Sequence, residues 1–214
     1  LDDYGSANHY GKYFYWNFEY KTKMKIIDKV LQSWRMHKAV RQVRKHFSGK
    51  LKILDVGSFD GLFFEKIGVQ LEFGIGIEPT LQEIKVGANY KILPGYFPDD
   101  LPESAQGQGF DAIVMLAVIE HLPEDTLQNI DRICAGLLKP SGKIIITVPS
   151  PFVDKILHVL SSFRLIDGQS LEEHHRFNVN DTEVFFTGKA LFDKQLHEKF
   201  QLTLNNIYVF TLRN

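Results

Sequence analysis

The chain lacks the features that mark several protein classes. It has one cysteine, Cys134, so an internal disulfide and a cysteine-rich zinc site are both excluded. Cys134 falls in an apolar helical pattern and reads as a buried structural thiol. No apolar run approaches the ~20 residues that a membrane-spanning helix needs, and Leu1-Asp2-Asp3-Tyr4 is not a signal-peptide opening. The expected location is cytoplasmic. No repeat or low-complexity tract occurs. Excess charge of one sign is also missing, with 25 Lys/Arg against 26 Asp/Glu. That balance hides an asymmetry: residues 1–50 hold eleven basic and four acidic side chains, residues 51–214 fourteen and twenty-two. A basic leading segment on an acidic body suits an acidic substrate, a lipid surface or nucleic acid, or is a solvated helix face. With 44% hydrophobic and 13% aromatic residues over 214 positions, the chain has the composition of one globular domain with a modest appendage.

Residues 1–49 read as an aromatic and basic helical extension. Its aromatic cluster runs from Tyr4 to Tyr20 and includes Trp16. From about Thr22 to Phe47 apolar residues recur every three or four positions, at Ile27, Val30, Leu31, Trp34, Val40, Val43 and Phe47, with basic residues on the other face. Ser48-Gly49 ends that helix.

From residue 50 the rhythm is strand–helix–strand. Strands are expected at Leu51–Val56, Leu71–Ile77, Tyr90–Leu93, Phe110–Leu116 and Lys143–Val148. Helices are expected from about Leu62, over Leu81–Gly87 and over Asp125–Leu138. After a variable segment at about 150–180, Lys189–Lys199 reads as a helix and Gln201–Leu212 as a last strand, leaving no sequence for a further antiparallel one. Strands that are apolar throughout and alternate with helices belong to a parallel sheet covered on both faces. Right-handed crossovers make it a doubly wound, mostly parallel α/β sheet, in which ligands bind at the carboxyl ends of the strands where their order reverses. That rule singles out Gly57–Gly61, Glu78, Gly95–Phe97 and Leu116–His121.

Asp55-Val56-Gly57-Ser58-Phe59-Asp60-Gly61 is a strand end running into a glycine-bearing turn, which offers free N–H groups and close approach to a ligand. Glu78, at the end of the next strand, has two acceptor oxygens for the hydroxyls of a ribose. A nucleoside-bearing cofactor follows. Dinucleotide sites use G-x-G-x-x-G against a pyrophosphate, but this turn carries bulky Phe59 and acidic Asp60. An acid repels a pyrophosphate and tolerates a sulfonium and an ammonium, which favours S-adenosylmethionine over NAD.

With these residues the sequence resembles the class I S-adenosylmethionine-dependent methyltransferases, small-molecule branch. Asp55, Gly57 and Gly61 match their D-x-G-x-G-x-G motif, with Phe59 in place of the middle glycine. Gly95-Tyr96-Phe97-Pro98-Asp99-Asp100-Leu101-Pro102 is similar to their G-D-x-x-x-L-P loop, with Tyr96 where an Asp is usual. Phe110–Leu122, ending Val118-Ile119-Glu120-His121-Leu122, resembles F-D-x-V-x-x-x-x-V-L-E-H-L, and Leu137–Gly142 resembles L-K-P-G-G. The resemblance covers about residues 50–150. It implies a Rossmann-like methyltransferase fold with an N-terminal helical extension, and methyl transfer to a small-molecule acceptor such as a sugar, a lipid-linked intermediate or a metabolite. It further implies that Asp55, Gly57, Ser58 and Gly61 cradle the methionine part, that Glu78 takes the ribose, and that Pro79, Thr80, Tyr96 and Phe97 border the adenine. Leu116 would line the methionine side.

Three histidines are the candidate bases: His121 after the fourth strand, and His174 and His175 in the variable segment, which with Arg176 would form a substrate wall. Some quinone-pathway relatives place E-x-x-E-H here as cation ligands; Ala117-Val118-Ile119-Glu120-His121 lacks one carboxylate, so no metal is expected. The aromatic N-terminus is read as a docked lid, and the basic helix as a point of contact with a membrane surface. Nucleic acid is not expected, because Leu116-Ala117 offers no hydrogen bond to a flipped base. The alternatives are a non-catalytic nucleotide-binding module that keeps the fold, which Phe59 would favour, and a nucleotide-dependent oxidoreductase. The oligomeric state stays open.

Overall fold

A computed structural model describes residues 26–150 and 178–213. The chain enters through helix α1 (Ile26–His46) and then alternates β1 (Leu51–Val56), α2 (Leu62–Ile67), β2 (Leu71–Glu78), β3 (Lys85–Val86), β4 (Tyr90–Pro94), α3 (Glu103–Gln106), β5 (Phe110–Leu116), α4 (Glu124–Leu137) and β6 (Leu138–Pro149). Helix α5 (Asp181–Thr187), β7 (Phe192–Phe200) and β8 (Asn205–Leu212) follow. The strands form one sheet in the order β3-β4-β2-β1-β5-β6-β8-β7. Strands β4, β2, β1, β5 and β6 run parallel, while β8 lies antiparallel between β6 and β7. This is the expected doubly wound, mostly parallel sheet.

Burial on both faces explains why the inner strands are apolar throughout. Ile53, Leu54, Val56, Ala112, Ile113, Val114 and Met115 are all buried. One face packs with α4 through Ile130, Cys134 and Leu137, and with α5 through Phe186. The other packs under α1 and α2, where Met36, Ala39, Val40 and Val43 meet Ile53, Phe63, Phe64, Val114 and Ile145. At about 25 cal/mol per Å² of apolar area, such side chains contribute roughly 1.5–3 kcal/mol each. Cys134 is buried and free, and burial pushes its thiol well above the ordinary range.

Four expectations are corrected. Leu81–Gly87 is not a helix; it holds the two-residue edge strand β3, antiparallel to β4. The segment is too short to nucleate a helix without packing, and Ile84 and Val86 are exposed. Lys189–Lys199 is not a helix either, because Phe192–Phe200 is β7. Its Phe192, Leu196 and Phe200 recur every four residues, a spacing that fits a helix and a strand alike; the register shift between Lys194 and Leu196 then sends Phe192 into the core on one face of the sheet and Leu196 and Phe200 into that on the other. The antiparallel strand that seemed to lack a sequence is therefore present: β7 occupies the supposed helix and β8 is its partner. Finally, the buried stripe of α1 is Met36, Ala39, Val40 and Val43, while Val30 and Trp34 are 56% and 47% exposed. The helix is rotated relative to the apolar stripe read from spacing.

The aromatic cluster of residues 4–20 and the segment with His174, His175 and Arg176 lie outside the described residues. No helix among those described is long and apolar enough to cross a membrane.

Candidate functional site

The strand order reverses at β1, with β2 on one side and β5 on the other. The turn 57–61 leaves the carboxyl end of β1 at that point. Gly57 (φ +74°) and Gly61 (φ +78°) take left-handed conformations that side chains disfavour. Each is also crowded: a Cβ on Gly57 would lie 2.5 Å from Val118 Cγ2, and one on Gly61 2.7 Å from the Tyr90 ring. Phe59, between them, is left-handed too (φ +48°). For a bulky residue this costs on the order of 1 kcal/mol.

Hydrogen bonds secure the turn. The Ser58 hydroxyl lies 2.9 Å from both the carboxylate Oδ2 and the main-chain oxygen of buried Asp55, and donates to them. The Phe59 N–H donates to Glu78 Oε2 (3.0 Å), joining the turn to the end of β2. The other oxygen of Glu78 accepts from the Thr80 N–H (3.0 Å) and hydroxyl (2.6 Å). Glu78 is buried, while Pro79 and Thr80 beside it are exposed. The Gly95 N–H donates to the Glu78 carbonyl (3.2 Å), which brings the loop after β4 to the same place. In that loop the Tyr96 N–H donates to Asp100 Oδ2 (2.8 Å), Tyr96 is 55% exposed and Phe97 is buried.

Acids dominate the electrostatics. Burial raises the Asp55 carboxyl to about 7; the Ser58 hydrogen bond opposes this, and Glu78 and Asp60 add to it. A site with three neighbouring acids attracts a cation.

A cleft of about 70 Å³ opens beside the turn. Its walls are Gln32, Arg35 and Met36 of α1, the turn residues Gly57–Asp60, and Leu116 at the end of β5. Sequence reasoning missed the α1 wall. Arg35 Nε is buried with no hydrogen-bond partner, as are both carboxylate oxygens of Glu120. Burial raises Glu120 to about 7 against the pull of its own main-chain amide and of the Arg35 guanidinium. Burial also lowers the Arg35 guanidinium from its ordinary value, which Glu120 counteracts. Arg35 and Glu120 thus both hold buried polar atoms without a hydrogen-bond partner, and the charge of each counteracts the effect of burial on the other. Arg35 sits beside Met36 of the buried α1 stripe, but no local pattern sets it apart from the solvated basic residues of that helix.

The structure gathers Asp55, Gly57, Ser58, Gly61 and Glu78 into one constellation, with Leu116 on the cleft wall and Pro79, Tyr96 and Phe97 on the segments that follow β2 and β4. His121 ends a turn of 3₁₀ helix at 119–121 beyond β5 and is exposed. It is not part of the cleft wall.

A family model described as a methyltransferase domain matches residues 25–183. The mitochondrial ubiquinone biosynthesis O-methyltransferase of Bos taurus is 33% identical over 121 residues, which is 50% of this chain and 32% of that protein. The ubiquinone biosynthesis O-methyltransferase of Xanthomonas axonopodis pv. citri is 33% identical over 105 residues, 45% of this chain and 42% of that protein. The match thus spans less than half the length of these curated relatives. Among solved structures, the 1,6-didemethyltoxoflavin-N1-methyltransferase of Burkholderia thailandensis, with S-adenosylhomocysteine bound, has a TM-score of 0.63 at 12% identity, over 88% of this chain and 82% of that one. The N-methyltransferase NodS of Bradyrhizobium japonicum has a TM-score of 0.56 at 13% identity, over 87% and 99%. At these identities the two structures establish the fold.

Proposed function

The chain belongs to the class I S-adenosylmethionine-dependent methyltransferases, and from that premise we propose that it methylates a small-molecule acceptor with the donor lying across the carboxyl ends of β1, β2, β4 and β5. The observation that carries this reading is the bond from the Phe59 N–H to Glu78, which makes the glycine turn and the ribose-binding acid one unit.

The residues present fit the donor. Gly57 and Gly61 hold the turn in left-handed conformations at the carboxyl end of β1, where its main chain can approach a ligand closely. The acids Asp55, Asp60 and Glu78 suit its positive charges. Half-buried Arg35, with a buried and unsatisfied Nε, suits its one negative group, the methionine carboxylate. A carboxylate has about four acceptor sites, and three on Glu78 are engaged by Phe59 and Thr80. One is left for a ribose hydroxyl, and a second opens when the exposed Thr80 hydroxyl turns away. Tyr96 and Phe97 border the adenine, and Leu116 the methionine chain.

The donor supplies a methyl group already activated by a sulfonium. What remains for the protein is to align the acceptor, exclude water and handle one proton. Helix α1 closes the methionine side of the cleft against water. His121 takes the proton of a hydroxyl acceptor at an imidazole nitrogen, and His174 and His175 belong to the acceptor wall. Relatives named O-methyltransferases make hydroxyl-bearing small molecules the first acceptors to screen. Neither a metal nor nucleic acid enters this reading.

Calorimetric titration of the purified protein with S-adenosylmethionine and S-adenosylhomocysteine tests it, with Glu78→Ala as control. Micromolar binding that the variant loses is the expected result. A folded protein that binds neither overturns the reading.

A further inference from the structure

We propose that the Phe59 ring distinguishes the charged donor from the uncharged product: its π face receives the sulfonium of S-adenosylmethionine and has nothing to offer the neutral sulfur of S-adenosylhomocysteine. This rests on the donor reading above and assigns a specificity role to one residue of that site.

Phe59 occupies a left-handed turn position (φ +48°) that glycine would fill without strain. A bulky residue kept under backbone strain at a cleft calls for a function that repays it. Its main chain is fixed at the turn, because the N–H is held by Glu78. The ring lines the cleft and yet is 53% exposed, so it stands at the mouth. Among the described residues it stacks on no other aromatic ring, which leaves its π face unused. An aromatic face attracts a cation through its quadrupole, whereas an aliphatic side chain of similar size does not.

The surrounding charges favour a cation at this spot. Asp55, Asp60 and Glu78 cluster at the turn, while the one cation that the described residues put on the cleft wall, Arg35, comes from α1. A ligand with a carboxylate and an onium group is thereby oriented, with the carboxylate toward α1 and the cation toward the turn and the ring. Methyl transfer removes the sulfonium charge. The contact then disappears with the reaction, and the product leaves a site that no longer favours it.

The test is calorimetric titration of the wild type, Phe59→Leu and Phe59→Gly with three ligands: S-adenosylmethionine, sinefungin (which carries an amine in place of the sulfonium) and S-adenosylhomocysteine. Phe59→Leu keeps the side-chain bulk and the backbone strain but removes the π face. Phe59→Gly relaxes the strain and guards against misfolding. The expected result in both variants is about tenfold weaker binding of the two cationic ligands, with S-adenosylhomocysteine weakened less than twofold. Equal weakening of all three ligands, or of none, overturns the proposal while leaving the donor site intact. A wild type that binds none of them overturns the donor reading and this inference with it.

Discussion

The main-chain N–H of Phe59 and the side-chain Oε2 of Glu78 are 3.0 Å apart, and this bond ties the ends of the first two strands into one surface. Glu78 therefore shapes the turn as well as accepting hydrogen bonds of its own. Replacing it by Ala removes the proposed ribose partner and strands a part-buried N–H. Donor affinity should fall by about 30- to 100-fold, and unfolding should become easier by about 1–2 kcal/mol. Calorimetry and a denaturant titration measure the two effects separately. Glu78→Gln should recover most of the stability and only part of the affinity.

Gly57 is constrained twice, by its backbone and by Val118. Gly57→Ala should cost about 1–2 kcal/mol of stability for the left-handed conformation and more for the contact with Val118 Cγ2. The double variant Gly57→Ala, Val118→Ala removes the collision and leaves the backbone cost. In thermal melts it should restore part of the loss that Gly57→Ala causes, relative to Val118→Ala alone. A double variant no better than the sum of the singles would refute the crowding.

Asp55 makes stability fall as pH rises, contrary to the usual carboxylate. Its folded-state carboxyl titrates at about 7 and its ordinary value is 3.8. The contribution is fully present below pH 4, where both states are protonated, and is lost as pH climbs through 7, because folding then buries a charge. A tenfold change in a proton-binding constant is worth about 1.4 kcal/mol, so the loss is on the order of a few kcal/mol. Glu120, also raised to about 7, acts in the same direction. Asp55→Asn keeps an acceptor for the Ser58 hydroxyl and should flatten the profile between about pH 4 and 7, read as the urea midpoint against pH. Its donor affinity should drop, since a cation-attracting charge is gone.

Arg35 should separate ligands by their carboxylate. Arg35→Ala is expected to weaken S-adenosylhomocysteine by about 10- to 30-fold and to leave 5′-methylthioadenosine, which has no carboxylate, within twofold. Fluorescence or calorimetric titration would decide it. Equal losses for both ligands would make Arg35 a structural residue only.

Much of the fold, and the placement of the candidate site at the strand ends, was readable in the sequence, and for a physical reason. Strands β1 and β5 are buried on both faces, so their apolar runs end where the sheet ends, and Gly57 and Glu78 mark the ends of β1 and β2. The edges were not readable. Lys85 and Val86 form a two-residue strand with little packing, and the four-residue spacing of Phe192, Leu196 and Phe200 in β7 fits a helix as well as a strand. Arg35 was missed because a basic residue on a basic helix is normally solvated. Its burial, and that of the Glu120 carboxylate, depends on how α1 is rotated over the turn, which no local pattern records.

Among the described strands β8 is made after all the others, yet it sits inside the sheet, bonded to β6 on one side and to β7 on the other. Sheet assembly therefore cannot follow the order of synthesis. While the chain is still being made, β7 has no neighbour and β6 presents an open edge able to pair with another nascent chain. Both are closed in a single event when residues 205–212 slot between them. A nonsense mutation just before Asn205 would accordingly forfeit two strand pairings at once and leave an aggregation-prone product, even though every residue of the candidate site had already been made.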